Sequence, residues 1–237
     1  MKAMILAAGR GERMRPLTDH LPKPLLKVAG IPLIEYHIKK LANIGVSDIV
    51  INLAWLGECI VEYLQNGEKF GVNIQYSWEK DGALETAGGI IKALPKLAEK
   101  NEPFLVVNGD IYIDYDFSQL PKLTEQQQAH LWLVDNPAHN LSGDFFLKDG
   151  ELQNKQQAEM KGETALQQHC FTFSGIGLYR PSLFQAYLDN KVMPLAPILK
   201  AAMEKQQISG EKLSGLWTDV GTPERLQQLN KHIQGKG

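Results

Sequence analysis

Met4 to Ala8 is an apolar run with no polar interruption, and it ends on glycine. A strand with apolar side chains on both faces must be covered on both. That requirement selects a parallel sheet between helices over a sheet with one wet face. Pro32 then opens a helical pattern in which Leu33, Ile34, His37, Ile38 and Leu41 share one face, closed by Gly45. Asp48 to Leu53 reads as a second buried strand. It is followed by a helix near Leu56 to Leu64, a strand near Val72 to Ser77, a helix from Thr86 to Leu94 and a strand from Phe104 to Asn108. This alternation implies an α/β sheet with right-handed crossovers. From Ala129 the rhythm changes. Strands near His130 to Val134, Asp144 to Leu147 and Phe171 to Tyr179, with an Asp149-Gly150 turn, read as antiparallel additions to a mostly parallel sheet. Helices near Leu183 to Leu188 and Ala196 to Lys205, a strand ending at Val220 and a helix from Pro223 to about Ile233 complete a three-layer α/β/α arrangement, expected to be a single domain over residues 1–237. The polar stretch from Gln153 to Gln168 reads as a mobile loop.

Composition narrows the class of partner. Lys and Arg number 25 against 27 Asp and Glu, a formal net charge of -2, and the basic residues are dispersed. No basic field exists for a nucleic-acid backbone, so any anion is bound locally. The two cysteines, Cys59 and Cys170, are too far apart for a CxxC motif. The opening MKAMILAAG meets charge too early for a signal peptide, and no later stretch has the length of a membrane span. A soluble protein of the reducing cytoplasm, with no membrane partner, is expected.

The segment LAAGRGERMRPLTDHLPKPLL, Leu6 to Leu26, carries the chemistry. Gly9 and Gly11 leave a buried strand at the carboxyl end of the sheet, where α/β proteins place ligands. Glycine lets backbone N–H groups approach phosphate oxygens, and Arg10, Arg13, Arg15 and Lys23 add positive charge. The loop lacks the GK[ST] of a Walker A motif. It is not a dinucleotide fingerprint either, because Met14 stands where the third glycine belongs. A glycine turn after a strand is also common as plain structure. Here, however, Pro22 and Pro24 fix the backbone on both sides of Lys23, as a cation held at one place requires. Asp110 ends the apolar strand of VVNGDIYID and Asp219 precedes the terminal helix in WTDVGTPERL. Carboxylates so placed suit a hard divalent cation, and each alone also suits a turn or cap.

At these residues the chain resembles the sugar-1-phosphate nucleotidylyltransferases, or sugar-nucleotide pyrophosphorylases, whose signature LAAGxGxRxxPLT followed by PKPLL is matched and continued by Pro32-Leu33-Ile34. The resemblance implies a Rossmann-like nucleotidyltransferase fold with a nucleotide-binding half at about 1–115 and a sugar-binding half at about 116–237. It implies that Leu6, Ala7, Ala8, Gly9, Gly11 and Glu12 wrap the nucleotide, that Arg13 stabilises the reacting phosphates, and that Lys23 holds them at the attack site. LETAGGI, Leu84 to Ile90, resembles the family's LGTAGAI box, which meets the nucleobase and adds Glu85, Thr86 and Gly88 to the nucleotide contacts. Glu85 replaces the family's first glycine there, and Thr86 also suits an ordinary helix cap. The family pairs its aspartates on one magnesium ion, which assigns Mg2+ to Asp110 and Asp219. FTFSGIGLY, Phe171 to Tyr179, resembles the sugar-side strand, implying substrate contacts at Asn108, Ser174 and Gly175.

The implied chemistry is in-line attack of a sugar phosphate on the α-phosphorus of a nucleoside triphosphate, driven by positioning and charge neutralisation. Within the family the motif set points to UTP and N-acetylmuramate 1-phosphate, a reaction of peptidoglycan recycling. Mannose, glucose and heptose phosphates are the alternatives, and a monomer or small homo-oligomer is expected. Arg180 and the lysines of the Gln153 to Gln168 stretch are candidates to meet the lactyl carboxylate. A non-catalytic sensor would be expected to lose Arg13, Lys23 or an aspartate, and a dinucleotide oxidoreductase would need the intact fingerprint. Loop side chains carry little packing, so Arg13 and Lys23 are both expected to be dispensable for folding.

Overall fold

A computed structural model describes residues 1–80, 82–118, 120–160, 169–188 and 192–235. Its strands are β1 (Ala3–Leu6), β2 (Lys27–Val28), β3 (Ile31–Pro32), β4 (Asp48–Leu53), β5 (Asn73–Trp78), β6 (Phe104–Asn108), β7 (Ile111–Ile113), β8 (Ala129–Val134), β9 (Phe145–Lys148), β10 (Glu151–Gln153), β11 (Cys170–Tyr179), β12 (Ile208–Lys212) and β13 (Trp217–Asp219). Its helices are α1 (Leu33–Asn43), α2 (Gly57–Leu64), α3 (Glu85–Leu97), α4 (Lys155–Met160), α5 (Leu195–Glu204) and α6 (Pro223–Gln234).

One sheet of nine strands runs β5-β4-β1-β6-β11-β8-β12-β10-β9. β5, β4, β1 and β6 are parallel, and β11 is antiparallel to both β6 and β8, so β8 returns to the direction of the first four. Successive side chains point to opposite faces. Ala3 and Ile5 therefore pack under Ile34, Ile38 and Leu41 of α1 and Ile60 and Leu64 of α2. Met4, Val50 and Val106 face Ile90 and Ala93 of α3 and Ile198 and Leu199 of α5. These two apolar layers make the expected three-layer α/β/α sandwich.

Register positions the chemistry. Leu6 pairs with Asn52 on one side and Asn108 on the other, so β1, β4 and β6 end level at one carboxyl edge. A small ribbon of β7 and β13 hangs from that edge and pairs Asp219 with Ile111.

Several elements differ from the sequence reading. The helix expected to stop at Leu94 continues past Pro95 to Leu97, whose side chain is buried in the second core. β12 lies inside the sheet, parallel to β8, although ISGEK carries little apolar signal. The stretch expected to be a mobile loop begins on the last residue of β10 and includes α4. Asn154 and Gln157 cap that helix reciprocally: the Gln157 N–H donates to Asn154 Oδ1 at 2.8 Å, and the Asn154 N–H donates to Gln157 Oε1 at 3.4 Å. Ala158 is buried with Phe146 and Cys170. The remainder of that expected loop, 161–168, lies outside the described residues. Among the described residues, no helix is long and apolar enough to cross a membrane.

The link from β6 to β7 depends on Gly109, whose N–H donates to the Leu6 carbonyl at 2.8 Å. A Cβ there would lie 2.6 Å from that oxygen. Gly109→Ala is expected to cost about 1–3 kcal/mol of stability through backbone displacement. The test is urea unfolding, where the midpoint should fall with an unchanged m-value; an unchanged midpoint would rule out the close approach.

Candidate active site

The turn after β1 is built around Gly11, which takes φ 67°, a left-handed conformation suited to glycine. Its carbonyl accepts from the Met14 N–H at 2.9 Å and from Thr18 Oγ1 at 2.8 Å. Around Gly9 the space is open, with no atom within 4 Å of a Cβ placed there. The turn borders a cavity of about 530 Å3 lined by Leu6, Ala7, Ala8, Gly9, Gly11, Glu12, Arg13 and Lys23, and across it by Glu85, Thr86, Asn108 and Asp110.

The four basic residues of the loop part company. Arg15 turns to Asp19 at 2.6 Å, and Arg10 stacks over the Trp55 ring at 4.5 Å with Glu12 3.7 Å away. Arg13 is left exposed on the cavity rim. Lys23, 7% exposed between its prolines, sends Nζ 2.6 Å to Asp110 Oδ2.

Asn52 and Glu79 also line this cavity and were not foreseen. Asn52 Oδ1 accepts from the Ala7 N–H at 2.8 Å, and Asn52 Nδ2 donates to Glu79 Oε1 at 2.7 Å. Glu79 Oε2 accepts from the Leu84 N–H at 2.7 Å. A polar residue in the apolar run DIVINL was the available signal for Asn52, since a buried amide needs partners. Glu79 carried none.

Asp110 and Asp219 meet through the ribbon, where the Val220 N–H donates to the Asp110 carbonyl at 2.8 Å. Asp219 Oδ2 is bonded to Arg225, while Oδ1 is buried without a hydrogen bond, 3.3 Å from His139 Nε2. A buried carboxylate oxygen that accepts no hydrogen bond fits an oxygen-seeking cation. Among the described residues no cluster of three or more His, Cys, Asp or Glu could hold a metal, so such an ion would draw its other ligands from water and phosphate. His37 supports this edge from below, its Nε2–H donating 2.9 Å to the Ile111 carbonyl. Burial pushes its pKa down to about 4, which keeps the ring neutral at pH 7.

A second cavity of about 670 Å3 adjoins the first and shares Glu85, Thr86 and Asn108 with it. Asp144, Phe173, Lys155 and Lys200 line its far side. Lys155 Nζ donates 2.6 Å to the Gly143 carbonyl. Ser174 is fully buried in the β11 bulge: its Oγ accepts from the Ile176 N–H at 3.2 Å and its carbonyl accepts from Trp217 Nε1 at 2.8 Å. Gly175, φ 84°, backs Asn108 so closely that a Cβ would meet Asn108 Nδ2 at 2.7 Å. Gly88 is buried too, and its N–H donates to the Met193 carbonyl at 3.1 Å. Thr86 stands one residue inside α3, whose cap is Leu84, so it faces the cavities without serving as the cap. Arg180, expected as a candidate for the sugar carboxylate, is instead spent on the backbone carbonyls of Gln127, Asn101, Leu123 and Thr124 at 3.0–3.4 Å.

Residues 2–145 match the nucleotidyl transferase family. The chain is 52% identical over 232 residues to the N-acetylmuramate alpha-1-phosphate uridylyltransferase of Neisseria meningitidis, covering 96% of each. It is 32% identical over 246 residues to a mannose-1-phosphate guanyltransferase of Schizosaccharomyces pombe, spanning 98% of this chain and 66% of that enzyme. In fold it matches a crystal structure from Bacillus anthracis, assigned as a glucose-1-phosphate thymidylyltransferase and complexed with sucrose, with a TM-score of 0.81 at 22% identity over 99% of this chain and 95% of that one.

The two loop cations should separate in a stability assay. Arg13 is exposed, so Arg13→Ala should leave the melting temperature unchanged while lowering turnover by about two orders of magnitude. Lys23 is buried against Asp110, so Lys23→Ala should lose similar turnover and in addition about 1–2 kcal/mol of stability, because a charge-assisted hydrogen bond disappears. Near-normal turnover in a stable Arg13→Ala protein would remove Arg13 from the catalytic set.

Proposed function

The chain belongs to the nucleotidyl transferase family, and from that premise we propose that it transfers the uridylyl group of UTP to N-acetylmuramate 1-phosphate, giving UDP-N-acetylmuramate and pyrophosphate. The near full-length likeness to the meningococcal enzyme named for that reaction carries the choice of base and sugar. The nucleotide occupies the first cavity, formed almost wholly by residues before 115, and the sugar phosphate occupies the second, whose far side comes from later residues. We take the reaction to run in the cytoplasm, where UTP is available, as a step of peptidoglycan recycling.

An oxygen of the sugar phosphate attacks the α-phosphorus in line; a new P–O bond forms as the bond to the bridging oxygen breaks, and pyrophosphate leaves with that electron pair. No general base is required, because the attacking phosphate is already anionic at neutral pH. Two polyanions must nevertheless be held in contact, and local cations meet that requirement. Arg13 and Lys23 neutralise the triphosphate, while Lys155 and Lys200 bring positive charge to the sugar side. The open space at Gly9 admits phosphate oxygens to the backbone N–H groups of the turn. Asp110 and Asp219 would hold Mg2+, which when bound supplies further charge neutralisation on the phosphates.

Pyrophosphate release from a panel of sugar 1-phosphates with UTP tests the reading. N-acetylmuramate 1-phosphate is expected to give the highest kcat/KM, and UTP to be preferred over dTTP, CTP and GTP. A preference of about tenfold or more for glucose, mannose or heptose phosphate, equivalent to about 1.4 kcal/mol, would refute the named sugar and leave nucleotidylyl transfer intact.

The aspartate pair has its own test. Asp110→Asn and Asp219→Asn should each weaken the Mg2+ dependence of turnover, and the double variant should be little worse than either single one, since one site is lost in each case. Additive losses, or full activity in EDTA, would break the pairing.

A further inference from the structure

Glu85 departs from the resembled family pattern and from ordinary backbone preference at the same position. It stands where LGTAGAI has glycine, and it takes φ 62°, the left-handed region that side chains disfavour. It is exposed, and it lines both cavities, as do Thr86 and Asn108. Among the described residues no hydrogen bond or ion pair engages its carboxylate.

The other carboxylates lining the cavities are occupied. Glu79 accepts from Asn52 and from the Leu84 N–H, Asp110 from Lys23, and Glu12 sits 3.7 Å from Arg10. Asp144, the other acid of the second cavity, accepts from Asn140 at 3.0 Å through Oδ1 and from the Phe173 N–H at 2.8 Å through Oδ2. Among the described residues, Glu85 is therefore the carboxylate of the two cavities that is left without a protein partner. A carboxylate at the meeting point of two phosphate-bearing substrates is repelled by both unless uncharged donors bind it. Glycine at this position would relieve the backbone strain and remove the repulsion together. The group that glycine cannot supply is a hydrogen-bond acceptor.

We propose that Glu85 is a specificity-determining residue whose carboxylate accepts hydrogen bonds from the uncharged O–H and N–H donors of the sugar ring in the second cavity. The assignment rests on the sugar 1-phosphate reading above. It also gives the side chain a repulsive role, because an anionic substituent directed at the junction would meet an unpaired like charge.

Steady-state kinetics and thermal melts of Glu85→Gly, Glu85→Ala and Glu85→Gln against wild type decide the matter, using whichever sugar 1-phosphate the wild type prefers. Glu85→Gly should raise the KM for the sugar 1-phosphate at least about tenfold, the scale of a lost hydrogen bond to a charged group, with the KM for UTP within about twofold. Its melting temperature should be at or above that of wild type, because glycine accepts positive φ. Glu85→Ala should share the kinetic loss but melt below Glu85→Gly, since it keeps the strain. Glu85→Gln, which retains an acceptor oxygen, should recover part of the sugar KM. A wild-type sugar KM in Glu85→Gly overturns the proposal, as does a KM increase confined to UTP, which would put the acceptor on the ribose. Wild-type protein inactive with UTP and every sugar 1-phosphate would overturn the parent reading and this one with it.

Discussion

The hydrogen-bonded chain from Ala7 through Asn52 and Glu79 to Leu84 is the constraint on which the first cavity depends. It ties the ends of β1, β4 and β5 and the start of α3 into one rim, using a carboxylate only 3% exposed and an amide also 3% exposed. A buried donor or acceptor left unpartnered costs about 1–3 kcal/mol of desolvation, so each link of this chain holds the next. The same demand that fixes Glu79 therefore fixes the start of the turn after β1, where the Ala7 N–H meets Asn52. The sheet sets the level of the rim through the shared register of Leu6, Asn52 and Asn108, and the polar chain locks the loops that rise from it.

A second tie crosses the whole sequence. Asp110 and Asp219 are brought together by the β7–β13 ribbon, and Lys23 is drawn onto Asp110 from the first loop. Three charges from three distant segments thus share one edge of the sheet, although the net charge of the chain is close to zero. Arg225 bonds one oxygen of the Asp219 carboxylate, and His139 Nε2 lies 3.3 Å from the other. Positioning of this kind suits a reaction that needs charge placed and has little covalent work for the protein to do.

Much of this was legible where the signal is local. The apolar runs of β1, β4 and β6 and the amphipathic face of α1 follow from burial period alone, and the glycines and basic residues from Gly9 to Lys23 already marked the loop that borders the first cavity. Features that depend on distant partners were not legible. β12 reads as polar because Ser209, Glu211 and Lys212 outweigh Ile208, and its central Gly210 adds no apolar side chain; yet a Cβ there would strike Leu152 and the Leu131 carbonyl, so the strand is selected by the space its neighbours leave. Nothing around His139 signals its approach to Asp219, and Arg180 resembles an anion site until its four backbone carbonyls are counted. The Asn154 to Gln157 capping pair was present in the sequence, but the polar composition of the stretch hid it.

The paired glycines of LETAGGI show how a motif read as nucleotide-binding also answers an internal demand. The Ala87 and Gly88 N–H groups donate to the Met193 carbonyl at 3.0 and 3.1 Å, so this part of the helix start is committed to the segment leading into α5. At Gly89 a Cβ would lie 2.7 Å from Glu79 Oε1 and 2.9 Å from Asn52 Nδ2. Glycine inside a helix costs about 1 kcal/mol relative to alanine. Here that cost lets α3 approach the buried polar chain closely enough for Leu84 to complete it. Moving α3 outward to admit a methyl group would leave Glu79 short of a donor, and the rim that carries Thr86 and Glu85 would move with it. Glycine at 89 is thus required by the carboxylate beneath the first cavity, whether or not a ligand ever touches it.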